Sequence, residues 1–155
     1  MIAVIIVNYR SHLRTLKFVR EEVCKISSPH RVVVVDNAST PESLESLEEG
    51  LPEGSVVIPS AENSGFARAC NLGADYALKN IFPEGLEDSF LLFSNNDIVF
   101  NDADAADRLA GCLASLPDVG VIGPKVVGID GKLQSPEEFK SFWDKHVWVY
   151  WSTPF

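Results

Sequence analysis

The sequence is poor in cationic residues, with 13 Lys and Arg against 22 Asp and Glu, and its 155 residues carry a formal net charge of −9. Nucleic-acid surfaces need Lys and Arg to neutralise phosphates, so this balance argues against a nucleic-acid partner. A small phosphorylated ligand is not excluded, because a divalent cation can supply the positive charge.

Cysteine and histidine are scarce as well, with three of each, and neither type shows metal-ligand spacing. Cys24, Cys70 and Cys112 lie far apart in helix-like segments and form no C-x-x-C pair, so we expect buried, reduced thiols and a cytoplasmic setting. No apolar run reaches membrane-spanning length. The apolar start, residues 2–7, is too short for a signal peptide and lacks a basic leader.

Three common catalytic fingerprints are missing from the sequence. No G-x-G-x-x-G follows the first apolar run, which argues against a dinucleotide-dependent dehydrogenase. The phosphate-binding G-x-x-x-x-G-K-[S/T] loop of P-loop NTPases and the G-x-S-x-G elbow of α/β-hydrolases are absent too. A receiver-like phosphoacceptor domain needs an acidic pair after strand one, where this chain has Asn8 and Tyr9.

What the sequence does contain is a regular alternation of apolar runs and helical patterns. The predicted strands are 2–7, 31–36, 55–58 and 90–94, followed by short strands at 119–124, 125–128 and 132–134. The predicted helices cover about 11–25, 41–51, 62–79 and 105–116. This order predicts an α/β fold, a mostly parallel sheet between two layers of helices.

Local turn and capping signals refine these boundaries. Ser39 and Glu42 fit a capping box at the start of the second helix. Asn63 or Ser64 is expected to cap the third helix. The Asp-Gly pair at residues 130–131 predicts a hairpin turn.

Polar residues follow the predicted strands at their carboxyl ends, which meet at one rim in a doubly wound sheet. We expect Tyr9 to shape a base pocket and Asp36 to accept a hydrogen bond from the base or ribose. Asp97 would hold Mg²⁺ or Mn²⁺ against a diphosphate and so stabilise a departing nucleoside diphosphate. The other predicted nucleotide-binding residues are Val7, Asn63, Gly65 and Asn96.

Each of these residues also has an ordinary structural interpretation, since Asn and Asp favour turns in any protein. Two alternatives therefore stay open: a non-catalytic nucleotide-binding or protein-interaction module, and a nucleotidyltransferase. The second needs a Gly-rich, basic loop after strand one, which residues 8–12 do not provide.

The end of the chain differs from the rest. We divide the sequence into a nucleotide-binding α/β domain, 1–135, and an aromatic amphipathic segment, 136–155. The segment is expected to pack on its own sheet, to pair two chains as a homodimer, to lie on a membrane surface or to begin a second half. Its helically spaced stripe consists of Phe139, Phe142, Trp143, His146, Val147, Tyr150 and Trp151.

Six collinear blocks resemble family 2 glycosyltransferases, and most closely their rhamnosyltransferase-like branch. The first four are VIIVNY at 4–9, VVVDNAS at 33–39, NSGFARACNLG at 63–73 and LLFSNND at 91–97. Two later blocks are VIGPKV at 121–126 and DGKLQS at 130–135. Together they cover most of residues 1–135.

The resemblance implies a GT-A fold, a UDP- or dTDP-sugar donor, a glycan or lipid-linked acceptor and sugar transfer with inversion. Asp36 matches the family's nucleotide-contacting aspartate. Residues 95–97 take the place of the family's D-x-D motif, and because Asn95 replaces the first carboxylate, Asp97 is the implied ligand of the cation. A role in cell-surface polysaccharide synthesis, in the cytoplasm or at the inner face of the membrane, fits this branch.

The resemblance also implies an acceptor half that supplies a carboxylate general base. Glu137, Glu138 and Asp144 are the last carboxylates of this chain, and none lies in a matching motif. We therefore expect a donor-binding half that binds nucleotide but transfers sugar poorly by itself, and we assign no catalytic base.

Overall fold

The computed structural model describes residues 1–134, which form a four-stranded parallel sheet in the order β3-β2-β1-β4. The strands are β1 (Ile2–Asn8), β2 (His30–Asn37), β3 (Val56–Ser60) and β4 (Phe90–Ser94). The helices are α1 (His12–Glu21), α2 (Pro41–Gly50), α3 (Phe66–Asn80) and α4 (Ala105–Ala114), with a 3₁₀ turn at Val23–Lys25. The predicted α/β architecture is confirmed, and all four strands present their carboxyl ends to the same edge.

The central strand β1 is apolar on both sides because helices cover both faces of the sheet. Val4 and Ile6 face a core shared with α1, α2 and α4. Ala3 and Ile5 face the opposite layer, which α3 covers. The result is a three-layer sandwich with its loops gathered above the carboxyl edge.

Helix α3 lies unusually close to this sheet at Gly73. A Cβ atom at that position would lie 2.6 Å from Ile5 Cγ2 and 3.2 Å from Val35 Cγ2. Both neighbours are fully buried. The glycine thus lets the helix approach β1 and β2.

The short strands predicted at 119–124, 125–128 and 132–134 do not form within residues 1–134, so that prediction was wrong. One antiparallel bridge, between Val127 and Leu133, closes the predicted turn at residues 130–131. Gly120, Gly123 and Pro124 interrupt the apolar run, and a proline has no amide hydrogen to donate to a ladder. The hairpin turn itself is confirmed.

Two helix starts differ from their predictions. Thr40 rather than Ser39 caps α2, and its hydroxyl accepts a hydrogen bond from Ser43 N at 3.3 Å. Helix α3 begins at Phe66 with Gly65 as its N-cap, so neither Asn63 nor Ser64 caps it by a side chain. Gly65 has φ +83°, a backbone conformation that glycine adopts without strain.

The prediction of buried thiols holds for one cysteine only. All three are free, but Cys24 and Cys112 are exposed. Cys70 is buried on α3, and burial raises the pKa of its thiol to about 11. Within residues 1–134, no helix is long and apolar enough to cross a membrane.

Asp107, in the first turn of α4, ties this helix to the amino end of β2. Its Oδ1 accepts from Ser28 N at 2.8 Å and its Oδ2 from Ser27 N at 2.9 Å. The pKa of Asp107 is held below its ordinary value of 3.8 by hydrogen bonds. The largest contribution comes from the Ser28 hydroxyl, and the next from the backbone amide of Ser27. Because the pKa of Asp107 is lower in the folded protein than in the unfolded chain, this carboxylate stabilises the fold fully at pH values above its unfolded pKa. The stabilisation is lost as the pH falls through the folded pKa.

We expect Asp107→Asn to lower the free energy of unfolding by about 1 kcal/mol at pH 7, because two amide-to-carboxylate hydrogen bonds are weakened or lost. The difference from the wild type should shrink as pH drops below about 4. Urea unfolding at pH 7 and pH 3 measures both values. Asp118→Asn, at an exposed carboxylate, is the matched control and should change neither.

Candidate functional site

The carboxyl edge of the sheet carries a buried polar cluster centred on Asn8, the last residue of β1. Asn8 is fully buried, and its Nδ2 lies 2.6 Å from Oδ1 of Asp36. The same amide nitrogen lies 3.2 Å from the hydroxyls of Ser39 and Ser43. Because a carboxylate only accepts hydrogen bonds, the amide nitrogen of Asn8 must face Asp36. Asn8 therefore fixes the position of the carboxylate that the sequence assigned to the nucleotide.

The other side of the Asn8 amide connects to the β4 loop. Its Oδ1 accepts hydrogen bonds from Thr15 Oγ1 at 2.8 Å and Ser11 Oγ at 3.3 Å. The same two hydroxyls accept from Asn96 Nδ2, each at 2.9 Å. Two predicted site residues, Asp36 and Asn96, are thus joined through side chains that the sequence analysis did not single out.

A second polar cluster fixes the loop that precedes α3. Asn37 Nδ2 donates to Asn63 Oδ1 at 2.9 Å, and Asn37 Oδ1 accepts from Ser64 N at 3.1 Å. Asn63 Oδ1 also accepts from Gly65 N at 3.0 Å. The predicted residues Asn63 and Gly65 therefore lie next to the end of β2, and Asn37, which sequence reasoning missed, holds them there.

Tyr9 lies above the edge with 41% of its surface exposed, so its ring is accessible to a ligand. The Arg10 guanidinium lies 5.1 Å from the ring centroid, a cation–π contact. Val7, two residues before Tyr9, is half-buried on β1 and pairs with Val35.

Two non-glycine residues in the loops at this edge, Arg10 and Ala38, have positive φ, at 53° and 59°. Non-glycine residues adopt this conformation at a cost, so the surrounding hydrogen bonds hold both loops in place.

Asp97 is exposed in the loop after β4, beside the exposed Asn95 and the half-buried Asn96. Among residues 1–134, no three His, Cys, Asp or Glu side chains lie close enough to hold a metal ion by themselves. Mg²⁺ in enzymes that act on phosphates usually binds to one or two carboxylates together with substrate phosphates and water. The side chains fit that mode, in which a diphosphate completes the coordination, and do not fit a cage made of protein alone.

The far end of this loop is anchored by an ion pair at the end of α1. Glu22 Oε2 accepts from Phe100 N and from Lys25 Nζ, both at 2.7 Å. Lys25 Nζ also donates to Phe100 O at 3.1 Å. Both backbone groups of Phe100 are therefore satisfied, and the segment carrying Asp97 is held at both ends.

Beside β4 lies an apolar cavity of about 480 Å³, between α3, α4 and residues 120–124. Its polar lining consists of Asn71, Ser89 and Asn95. In the described part of the chain, Asn71 Oδ1 is the buried side-chain oxygen without a hydrogen-bond partner. Asn95 places the cavity next to the loop that carries Asp97.

The sequence of residues 3–145 matches a known family, glycosyl transferase family 2. The chain belongs to this family. The rhamnosyltransferase-like branch is not distinguished by this match. The assignment favours sugar transfer over the nucleotidyltransferase alternative. No curated protein matches the chain significantly.

Two solved structures share the fold of this family 2 domain. One is the mannosyltransferase PcManGT from Pyrobaculum calidifontis in complex with GDP-Man and Mn²⁺, with a TM-score of 0.57 and 21% identity over 77% of this chain. The other is S. aureus TarS 1-349, with a TM-score of 0.54 and 21% identity over 84% of this chain. The fold is therefore GT-A. The chain spans 33% of the first structure's length and 43% of the second's.

Proposed function

We propose that this family 2 domain is the donor-binding part of a glycosyltransferase that takes a sugar from a UDP- or dTDP-sugar. The observation that carries the proposal is the cluster at the carboxyl edge, where Asp36, Asn96 and the Asp97 loop come together in a family 2 chain. In open α/β sheets, ligands bind outside the carboxyl ends of the strands.

The nucleoside part of the donor would lie between the ends of β1 and β2. One oxygen of Asp36 is held by Asn8, which leaves the other for a hydrogen bond to the base or ribose. The exposed ring of Tyr9 offers a face for the base. Val7, Asn63, Gly65 and the Asn37 cluster define the walls of this part of the site.

The diphosphate would lie toward the β4 loop, where Asp97 and the amide oxygens of residues 95–96 can hold Mg²⁺ or Mn²⁺. When bound, such a cation neutralises charge that develops on the departing diphosphate. The exposed carboxylate of Asp97 is the charged group available for this purpose. The solved mannosyltransferase complex contains Mn²⁺ and GDP-Man, which supports the proposal of a cation and a nucleotide sugar.

The finer features follow from the resemblance: inversion at the anomeric carbon, a rhamnosyl-type sugar, and a glycan or lipid-linked acceptor at the inner face of the membrane. The catalytic base is not assigned. Glu137, Glu138, Asp144 and the aromatic segment proposed for homodimer formation lie outside the described residues. The division at residue 135 stays a prediction.

Calorimetric titration of the chain with UDP, dTDP and GDP, each with Mn²⁺ and with chelator, tests the donor site. We expect micromolar binding of UDP or dTDP that weakens on the order of 100-fold in chelator, a loss of about 2.7 kcal/mol. Adenosine diphosphate with Mn²⁺ is the control for unspecific binding of a metal diphosphate. No preference among the nucleotides would favour such unspecific binding, and no binding at all would favour a protein-interaction module.

A further inference from the structure

The hydrogen bonds beneath the site form one directed chain, which we call the relay: Asn96, Ser11 with Thr15, Asn8 and Asp36. Its direction is set by chemistry. Asp36 only accepts, so Asn8 presents its nitrogen there and its oxygen to the two hydroxyls. Each hydroxyl has one proton, which it donates to Asn8, and each therefore accepts from Asn96.

The inner part of the relay is shielded from water, while Ser11 and Asn96 are half-buried. Asn8 and Thr15 are fully buried, and Asp36 is 4% exposed. In a low-dielectric setting, consecutive hydrogen bonds polarise and strengthen one another. A shift at one end is therefore expected to alter the strength of the neighbouring bonds, by about 10–30% per bond.

The two ends of the relay belong to different parts of the nucleotide site. Asp36 lies at the end of β2, where the nucleoside is proposed to bind. Asn96 directly precedes Asp97, where the cation is proposed to bind. Asn96 reaches Ser11 and Thr15 directly, and Asp36 reaches them through Asn8. These two hydroxyls lie at the start of α1, a helix that contributes no other predicted ligand contact.

We propose that the relay couples nucleoside binding at Asp36 to cation binding at Asp97, with Thr15 as its main positioning residue. The inference rests on the proposed donor-binding function. It adds a second route of coupling to the direct contact between cation and diphosphate. Coupling is reciprocal, so the cation strengthens nucleoside binding by the same factor as the nucleoside strengthens cation binding.

Thr15→Val tests the relay, because it removes the hydroxyl and nearly keeps the shape. Asn8 Oδ1 and Asn96 Nδ2 each retain Ser11 as a partner in this variant. The measurement is the ratio of nucleotide dissociation constants in chelator and in Mn²⁺, taken with UDP or, if the wild type binds only dTDP, with dTDP. We expect Thr15→Val to lower this ratio about fivefold, at the lower end of known coupling factors. UDP affinity in chelator should stay within about twofold of the wild type, since no ligand contact is removed.

Two controls separate coupling from structural damage. Ser115→Ala removes a hydroxyl that donates to Cys112 O and contacts no member of the relay, and it should leave the ratio unchanged. Thr15→Ser retains the hydroxyl and should restore the ratio. If Thr15→Val does not fold, Ser11→Ala, at the half-buried helix start, replaces it in the same assay.

The outcomes are distinct. An unchanged ratio in Thr15→Val, with normal UDP binding in the wild type, overturns the relay and leaves the donor site intact. An equal loss of UDP affinity with and without Mn²⁺ also overturns it, because that pattern reports a merely structural role. Binding of neither UDP nor dTDP by the wild type overturns the proposed function, and the relay's coupling role with it.

Discussion

Asp97→Asn should abolish the effect of Mn²⁺ on nucleotide binding. We expect UDP affinity in Mn²⁺ to fall on the order of 100-fold, which is about 2.7 kcal/mol. The reason is charge: among residues 95–97, Asp97 is the single carboxylate, and an amide is a much weaker ligand for a hard divalent cation. Calorimetric titration with UDP measures the loss.

The same titration in chelator gives the internal control, since wild type and Asp97→Asn should then bind UDP alike. Asp75→Asn, at an exposed carboxylate on α3, is the matched variant and should keep the full effect of Mn²⁺. A strong response to Mn²⁺ in Asp97→Asn would show that the cation is held by other groups, and the assignment of Asp97 would be wrong.

Gly73→Ala should lower the free energy of unfolding by about 1 kcal/mol. Alanine gains about 1 kcal/mol over glycine in a helix, but overpacking a core costs about 1–3 kcal/mol. The new methyl carbon would lie 2.6 Å from Ile5 Cγ2, and Ile5 is fully buried on β1, so its side chain would have to shift within the packed core. The clash therefore outweighs the gain in helix propensity. Urea unfolding gives the value.

Gly111→Ala provides the opposite case in the same protein. Gly111 lies inside α4, and a Cβ there meets no atom of the described residues within 4 Å. Helix propensity then acts alone, and we expect a gain of about 0.5–1 kcal/mol. Equal changes at the two positions would contradict the close approach of α3 to the sheet.

The fold followed from the sequence where burial dominates. Runs such as residues 2–7 and 31–36 are apolar without alternation, and both became central strands covered on two faces. Residues 119–128 carry a similar apolar pattern but formed no strand. A strand needs a neighbour to pair with, and a single sequence does not show whether one is present. The exposure of Cys24 and Cys112 was not predictable for the same reason, because a helical pattern does not show which side of the helix faces the core.

The site was only partly predictable. Asp36 and Asp97 could be singled out because a carboxylate after a buried strand is chemically conspicuous. Asn8 and Thr15 could not, because an amide or hydroxyl gains its role from partners that the fold brings together across 28 and 81 residues. The ligand contacts of all these residues stay predictions until binding is measured.

The strand order also bears on how the protein folds. β1 and β2 are joined by one helical crossover and pair with each other. β1 and β4 pair although they lie nearly 90 residues apart in the sequence, with Ile2 opposite Phe90. Contacts between distant segments form slowly, because the entropy of loop closure is lost before they are gained. We expect the part of the site at Asp36 to form early in refolding, and the part at Asp97 to form only when β4 pairs with β1. Stopped-flow refolding followed by nucleotide binding would then show competence appearing later than most of the helical signal.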